Sequence, residues 1–249
     1  MAAPYLNRVT LLHERVQDAS RFPFTIPALA NLNLQLTKPI TFLVGENGSG
    51  KSTLIEAIAD LCRLPVSGGA AADLNANHGP ESRSVLAPAL RPSFKRRPPD
   101  GYFFRAEFHA HFASLLEQRR RDPDFLGDPY QYYGGKSLHE RSHGEAFLAL
   151  IQNRLHSGLF LLDEPESALS PQRQLTLLAQ IAELEATHDV QFIIATHSPI
   201  LLTYPDAEIL SLDDDSIRVI TLQETSHYQI TKRILENPAS FWRHLKHRS

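Results

Sequence analysis

The chain has 249 residues, of which 42% are hydrophobic, and this suits one large core or one core with a small subdomain. Its formal net charge of -3 excludes a strong global field that would draw it onto nucleic acid or a membrane surface. The single cysteine, Cys62, excludes an internal disulfide and fits a reducing compartment. We expect its side chain to be a buried packing residue.

The N-terminal residues carry charges within their apolar part, which does not fit a secretory signal. No apolar run approaches the roughly 20 residues that are needed to span a bilayer. We therefore expect a cytoplasmic protein without direct membrane insertion.

The N-terminal region predicts antiparallel strands within about 1–39. Residues 5–13 and 32–37 alternate between apolar and polar and flank a turn with two prolines. ITFLV (40–44) predicts a buried strand, and a helix is expected over 51–64. Residues 65–100 are rich in proline, glycine and alanine, so they predict a flexible loop.

Buried strands alternate with helices in the rest of the chain. Strands are expected at 102–108, 159–164 and 191–197, helices at 109–121, 145–156 and 171–187, then a closing hairpin and a C-terminal helix. Ser170 and Pro171 form the start signal of the third helix. This alternation predicts a single α/β domain over 1–249, with a mostly parallel central sheet, an antiparallel β subdomain and a short helical insert at about 107–156.

A glycine-rich loop follows the strand at 40–44 and opens the next helix. It fits G-x-x-x-x-G-K-[ST], the pattern of a phosphate-binding loop, which we call the P-loop (Gly45–Ser52). Its backbone N–H groups and Lys51 would hold phosphates, and Ser52 would offer a hydroxyl to Mg²⁺. The alternative is an ordinary glycine-rich turn. The nucleotide-binding candidates are Gly45, Glu46, Asn47, Gly48, Ser49, Gly50, Lys51, Ser52 and Thr53.

Two further buried strands end in polar residues. Asp163 and Glu164 end the strand at 159–164, where the aspartate would hold Mg²⁺ and the glutamate would polarise an attacking water. His197 ends the next strand, so we expect it at the γ-phosphate. The alternatives are solvated acids at a strand end and a structural histidine. Catalytic candidates are therefore Lys51, Glu164 and His197.

The order of these motifs resembles the ABC-type ATPases, a branch of the P-loop NTPase fold. Ser142-His143-Gly144-Glu145 is similar to the signature loop of that family, although Arg141 and His143 depart from its pattern. Residues 166–170 (ESALS) resemble the D-loop, with Ser170 where the family usually has aspartate. The resemblance implies a head-to-tail homodimer on ATP binding, in which each ATP and its Mg²⁺ lie between one P-loop and the partner's signature loop. Ser142–Glu145 can equally be a capped helix start.

One family element is missing, because no glutamine occurs between Asp60 and Glu117 where the Q-loop is expected. Glu107 is our candidate substitute near the metal, and an ordinary salt bridge is the alternative. Phe22 and Phe24 are candidates for stacking on adenine, with core packing as the alternative.

The type of ABC ATPase stays open between three hypotheses. The altered signature and the missing glutamine count against a transporter subunit. The blocks SHGE, LLDEPE and QFIIATHSPIL resemble a family of compact bacterial ATPases that is closer to the DNA-repair branch than to transporters. The favoured hypothesis is therefore an ATPase that drives a DNA-linked process of repair or defence, with DNA or a DNA-processing protein as partner. The others are a transporter's nucleotide-binding subunit and a nucleotide-gated binding module with negligible turnover. Basic runs at 95–97 and 119–121 could touch phosphate backbones or be solvated surface.

Overall fold

The computed structural model describes residues 4–74 and 83–246, without the side chains of 108–110 and 244–246. Strands alternate with helices through most of this range. The strands are β1 (Leu6–Leu11), β2 (Asn33–Gln35), β3 (Ile40–Val44), β4 (Gly69–Ala70), β5 (Leu90–Phe94), β6 (Gly101–Arg105), β7 (Gly158–Asp163), β8 (Val190–Ala195), β9 (Glu208–Ser211) and β10 (Arg218–Ile220). The helices are α1 (Pro27–Ala30), α2 (Lys51–Leu61), α3 (His109–Arg121), α4 (His143–Arg154), α5 (Pro171–Glu185), α6 (Ser226–Glu236) and α7 (Pro238–Lys246).

The central sheet has seven strands in the order β10-β9-β3-β8-β7-β6-β4. The five inner strands run parallel, and the edge strands β10 and β4 are antiparallel to their neighbours. The predicted α/β fold with a mostly parallel sheet is therefore confirmed.

The inner strands are apolar on both faces because helices or a second sheet cover each face. Successive side chains of a strand point to opposite faces, so Phe42 and Phe160 join a core with α4 and α5. Leu43 and Leu161 join the other core, with α2 and β1. This double burial explains why β3, β7 and β8 are nearly all apolar, with Thr41 inside β3 and Gln191 inside β8 as buried polar exceptions.

The second sheet is antiparallel, with the order β2-β1-β5. It confirms the two predicted N-terminal strands, but the prediction of a loop over 65–100 is wrong for β4 and β5. β5 pairs with β1 although it contains Pro92, because β5 is an edge strand that needs no N–H on its free side. Residues 75–82 of the predicted loop lie outside the described residues.

A fully buried glutamine joins the N-terminal strand to the central sheet. The side-chain oxygen of Gln191 accepts from the backbone N–H groups of Tyr5 (2.8 Å) and Leu6 (2.9 Å). Its amide nitrogen donates to the Leu6 carbonyl at 2.8 Å. These bonds satisfy an interior amide that would otherwise be costly to bury, and they fix the antiparallel sheet on β8.

The structure differs from the predicted elements in two places, and it agrees with the role predicted for Cys62. The strand predicted over 102–108 ends at Arg105, and 106–108 form a 3₁₀ turn. Two helices, α6 and α7, replace the single predicted C-terminal helix. Burial raises the pKa of the Cys62 thiol to about 12, which agrees with an inert packing residue. None of the helices in the described ranges has the length and apolar character that a membrane crossing requires.

Candidate active site

Four strands end side by side at one edge of the central sheet and bring the predicted residues together. β3 leads into the P-loop, β7 ends at Asp163, β8 ends two residues before His197, and β6 ends at Arg105. The register pairs Asp163 with Ala195 on one side and with Arg105 on the other. Ligands of open α/β sheets bind beyond this edge.

The P-loop wraps around its own lysine. The Lys51 ammonium donates to the carbonyls of Gly45 (2.7 Å) and Glu46 (3.1 Å). Gly45 has a φ of +152°, and an added Cβ would lie 2.6 Å from the Ser49 hydroxyl, so the loop needs glycine there. Burial lowers the pKa of Lys51, while nearby carboxylates, Glu164 first, oppose that shift. The remaining nucleotide-binding candidates lie in this loop or in the first turn of α2: Asn47, Gly48, Gly50, Ser52 and Thr53.

Neighbouring segments pack against the P-loop. The backbone N–H of Glu46 donates to Asp213 at 2.6 Å, a contact from the β9–β10 turn that the sequence did not reveal. The stretch at Leu29 lies against Gly50, where an added Cβ would be 3.0 Å from a Leu29 methyl. Just upstream, Phe22 is 64% exposed and Phe24 packs on the core. Phe24 therefore fits the packing alternative, whereas the Phe22 ring is exposed to solvent.

The predicted metal ligands meet at the start of α2. The Ser52 hydroxyl lies 3.2 Å from an Asp163 oxygen. Burial raises the pKa of Asp163 to about 7, with Arg105 opposing the shift. Among the described residues, no group of three or more acidic, His or Cys side chains is arranged to hold a metal alone. One carboxylate and one hydroxyl fit Mg²⁺, which takes its other ligands from phosphates and water.

The structure places Arg105, rather than Glu107, beside the predicted metal site. The Arg105 guanidinium lies 3.9 Å from an Asp163 oxygen and 2.7 Å from Glu56, and its side chain is 10% exposed. Glu107 follows in the 3₁₀ turn, is 60% exposed and forms an ion pair with Arg105. The contacts therefore favour the salt-bridge alternative for Glu107, because the strand ends before it.

Glu164 has a strained backbone at the end of β7. Its φ of 48° and ψ of 53° are left-handed, which is uncommon for a residue with a side chain. The Ser167 hydroxyl and N–H donate to its carbonyl at 2.8 and 3.1 Å, and its own N–H donates to Ala195 at 3.0 Å. Its side chain is 46% exposed. Strain that is held in place by such contacts often aims a functional side chain.

His197 faces this carboxylate and has two further partners. Its Nε2 lies 3.6 Å from a Glu164 oxygen, and its backbone N–H donates to Glu166 at 2.6 Å. Its Nδ1 lies 2.7 Å from Nε2 of His227 on α6. Burial lowers the pKa of His197, and Lys51 lowers it further. Glu166 and His227 contact the site although the sequence assigned neither of them a role in catalysis.

The predicted signature residues begin α4. Ser142 caps the helix: its hydroxyl accepts from the Glu145 N–H at 3.4 Å, and the Glu145 carboxylate accepts from the Ser142 N–H at 3.0 Å. Arg173 of α5 donates to both side chains at 3.0 Å. His143 is the first residue of α4, and Gly144 is buried in its first turn. The predicted capped helix start is therefore present.

Two family models match parts of the chain. Residues 146–203 match "AAA domain, putative AbiEii toxin, Type IV TA system", and residues 24–63 match an "AAA domain". The first range covers Asp163, Glu164 and His197, and the second covers the P-loop.

Relatives and one solved structure extend the likeness over most of the chain. Thiamine import ATP-binding protein ThiQ of Haemophilus influenzae (strain 86-028NP) is 26% identical over 224 residues, which are 86% of this chain and 96% of that protein. Petrobactin import ATP-binding protein FpuD of Bacillus anthracis is 25% identical over 199 residues, 75% of this chain and 72% of that protein.

The ADP conformation of an ATP-binding cassette of an ABC transporter shares the fold, with a TM-score of 0.53 and 15% identity. It covers 87% of this chain and 90% of that one. With the order of the motifs and their meeting at one sheet edge, these matches support the resemblance of the chain to the ABC-type P-loop ATPases.

Proposed function

We propose that the chain binds ATP and hydrolyses it with Mg²⁺ in a head-to-tail dimer that forms when ATP binds. The observation that carries this proposal is the position of Glu164, whose strained backbone holds its carboxylate 3.6 Å from His197 and next to the Ser52–Asp163 pair. A cradle for phosphate alone would not need a second carboxylate at this place.

We assign each residue of the site a role in ATP hydrolysis from its contacts in the structure. Lys51 exchanges the carbonyls that it now contacts for the β- and γ-phosphates. Ser52 and Asp163 would hold Mg²⁺, whose charge would offset that of the phosphates. Glu164 accepts a proton from the water that attacks the γ-phosphorus, while the bond from the γ-phosphorus to the bridging oxygen breaks and ADP leaves. His197 donates a hydrogen bond to a γ-phosphate oxygen.

Replacing Glu164 with glutamine tests this division directly. The variant should bind ATP with normal affinity, since the cradle is intact, while phosphate release should fall by about a hundredfold or more because the base is lost. With Mg²⁺ and ATP it should accumulate as a dimer in light scattering. Lys51→Ala is the matched binding control and should lose ATP in calorimetry.

Normal turnover of Glu164→Gln would rule out the carboxylate as the base. Turnover per chain that stays constant on dilution to a demonstrated monomer would rule out the composite site. Ser142 and Gly144 support the dimer, because they lie at the N-terminus of α4, and the positive end of a helix dipole attracts an anion. Ser142→Arg should therefore block dimer formation, while the isolated chain keeps its affinity for ATP.

The process that the ATPase drives is a finer proposal, and we favour a DNA-linked one. It is supported by the departures from the transporter pattern, which are the missing glutamine between Asp60 and Glu117 and the residues Arg141 and His143 in the signature. The basic runs add little support, since Arg96 pairs with Asp189 and Arg119 pairs with Asp73.

The relatives named for import favour a second candidate, an ATP-binding subunit of a transporter. Purification of Glu164→Gln with ATP separates the two, because a transporter subunit should bring a membrane protein with it. Phosphate release with and without DNA then tests the favoured role. Negligible turnover under every condition would instead support a nucleotide-gated binding module.

A further inference from the structure

We propose that His227, on helix α6, is a positioning residue that fixes the tautomer of His197. This inference rests on the function proposed above, because it concerns the group that His197 presents to the γ-phosphate. The juxtaposition that carries it is the 2.7 Å contact between His197 Nδ1 and His227 Nε2, with His197 Nε2 directed at Glu164.

The contact requires one donor and one acceptor. A neutral imidazole carries its proton on one nitrogen and a lone pair on the other. Burial lowers the pKa of both histidines, which favours a pair of neutral rings at neutral pH. The proton between them therefore belongs to either His197 Nδ1 or His227 Nε2, and the two choices give His197 opposite tautomers.

Glu164 decides between these choices. If His197 carried its proton on Nδ1, the lone pair of Nε2 would face the Glu164 carboxylate at 3.6 Å, which is repulsive. If His227 donates instead, His197 carries its proton on Nε2 and directs an N–H at the carboxylate and the crevice. That tautomer is the one that can donate to a phosphate oxygen.

The second tautomer also agrees with the surroundings of both rings. Nε2 of His197 and Nδ1 of His227 are buried and have no hydrogen-bond partner within the described residues. Nδ1 of His227 is then an acceptor without a partner among the described residues, while the Nε2–H group of His197 can donate a hydrogen bond to a phosphate oxygen of a bound nucleotide. A cavity of about 310 Å³ lies beside this pair, between the P-loop residues Glu46 and Asn47 and helix α6.

Helix α6 is fixed at this place by further bonds. Thr225 caps it by accepting from the Tyr228 N–H at 3.2 Å, and the Ser226 hydroxyl lies 3.3 Å from a Glu46 oxygen. The first turn of α6 therefore holds His227 against His197 from the P-loop side. Helix α6 thus contributes a side chain to the candidate active site.

Two variants and a control separate positioning from structure. His227→Gln keeps an amide N–H that can donate to His197 Nδ1, whereas His227→Leu fills similar space without a donor. Lys232→Ala, on the exposed surface of the same helix, controls for general damage to α6. We expect His227→Leu to lower kcat by about tenfold to a hundredfold, the range for losing a group that orients a functional histidine. KM for ATP should stay within about twofold, because the cradle is intact.

The tautomer itself is read from long-range ¹H–¹⁵N spectra of histidine-labelled protein without nucleotide, with His197→Asn identifying the signal. Wild type, His227→Gln and Lys232→Ala should show the Nε2–H tautomer, and His227→Leu a mixture. His227→Gln should also restore most of kcat. The inference is overturned if wild type shows Nδ1–H, or if His227→Leu leaves both tautomer and kcat unchanged.

The two proposals fail in distinguishable ways. If wild type has no ATPase activity, the proposed function falls, but the spectra still decide whether His227 sets the tautomer. If His227→Leu does not fold, the wild-type spectrum and His227→Gln carry the test. Equal losses in kcat and in 1/KM for both variants would indicate a structural role and reject positioning.

Discussion

Replacing Asp163 with asparagine should stabilise the protein in the absence of nucleotide and Mg²⁺, and more so at higher pH. Asp163 is 7% exposed, and burial raises its pKa from 3.8 to about 7. The folded state therefore keeps the proton to a higher pH than the unfolded state does. Stability is lost as pH rises from about 4 through about 7, because the carboxylate ionises without its metal.

The size of the effect follows from the two pKa values. Linkage gives a loss of about 2 kcal/mol at pH 5 and about 4 kcal/mol at pH 8, relative to the protonated carboxyl. Asparagine resembles the protonated carboxyl and does not titrate. The advantage of Asp163→Asn should therefore grow by about 2 kcal/mol between pH 5 and pH 8.

Urea denaturation at both pH values, followed by circular dichroism without nucleotide and Mg²⁺, measures this difference. Glu164→Gln is the matched control, and its gain should be smaller because that side chain is 46% exposed and already solvated. Adding ADP with Mg²⁺ should stabilise wild type more than Asp163→Asn, since the ligand binds the carboxylate. An advantage of Asp163→Asn that does not grow with pH would refute the reasoning.

Two further substitutions test packing around the site. Gly144→Ala should lower the unfolding midpoint in urea, because its Cβ would lie 2.8 Å from the Ala168 carbonyl, and overpacking costs about 1–3 kcal/mol, more than the helix propensity gained. A higher midpoint would contradict that contact. Arg105→Met should cost about 3 kcal/mol, since it leaves the Glu56 carboxylate without its cation. Adding Glu56→Gln should restore much of this, and strictly additive losses would contradict the ion pair.

Local patterns predicted the parts of the fold that depend on neighbouring residues. Buried runs predicted β3, β7 and β8, and the P-loop motif predicted the start of α2. β5 was missed because its partner, β1, lies far away in sequence and because Pro92 is unusual in a strand. Only the pairing itself shows that β5 is an edge strand that tolerates proline.

The site was predictable where a motif names its residues, and less so where contacts are distant. Asp163, Glu164 and His197 end strands that periodicity reveals. Arg105 was missed because the resemblance led to a search for an amide or a carboxylate, whereas the structure places a guanidinium there. His227 lies 30 residues from His197, and no local pattern indicates where α6 docks.

A single short segment, residues 165–173, contacts both halves of the proposed composite site. At one end, the Glu166 carboxylate accepts a hydrogen bond from the His197 backbone N–H. The Ser167 hydroxyl donates to the carbonyl of Glu164, the residue that precedes the segment. At the other end Arg173 donates to Ser142 at the start of α4. In the proposed dimer, Ser142 contacts the ATP that is bound to the partner's P-loop, while His197 contacts the ATP that is bound to the P-loop of its own chain. A displacement of this segment would therefore change both contacts together, so occupancy of one ATP site would be felt at the other through hydrogen bonds that are already formed in a single chain.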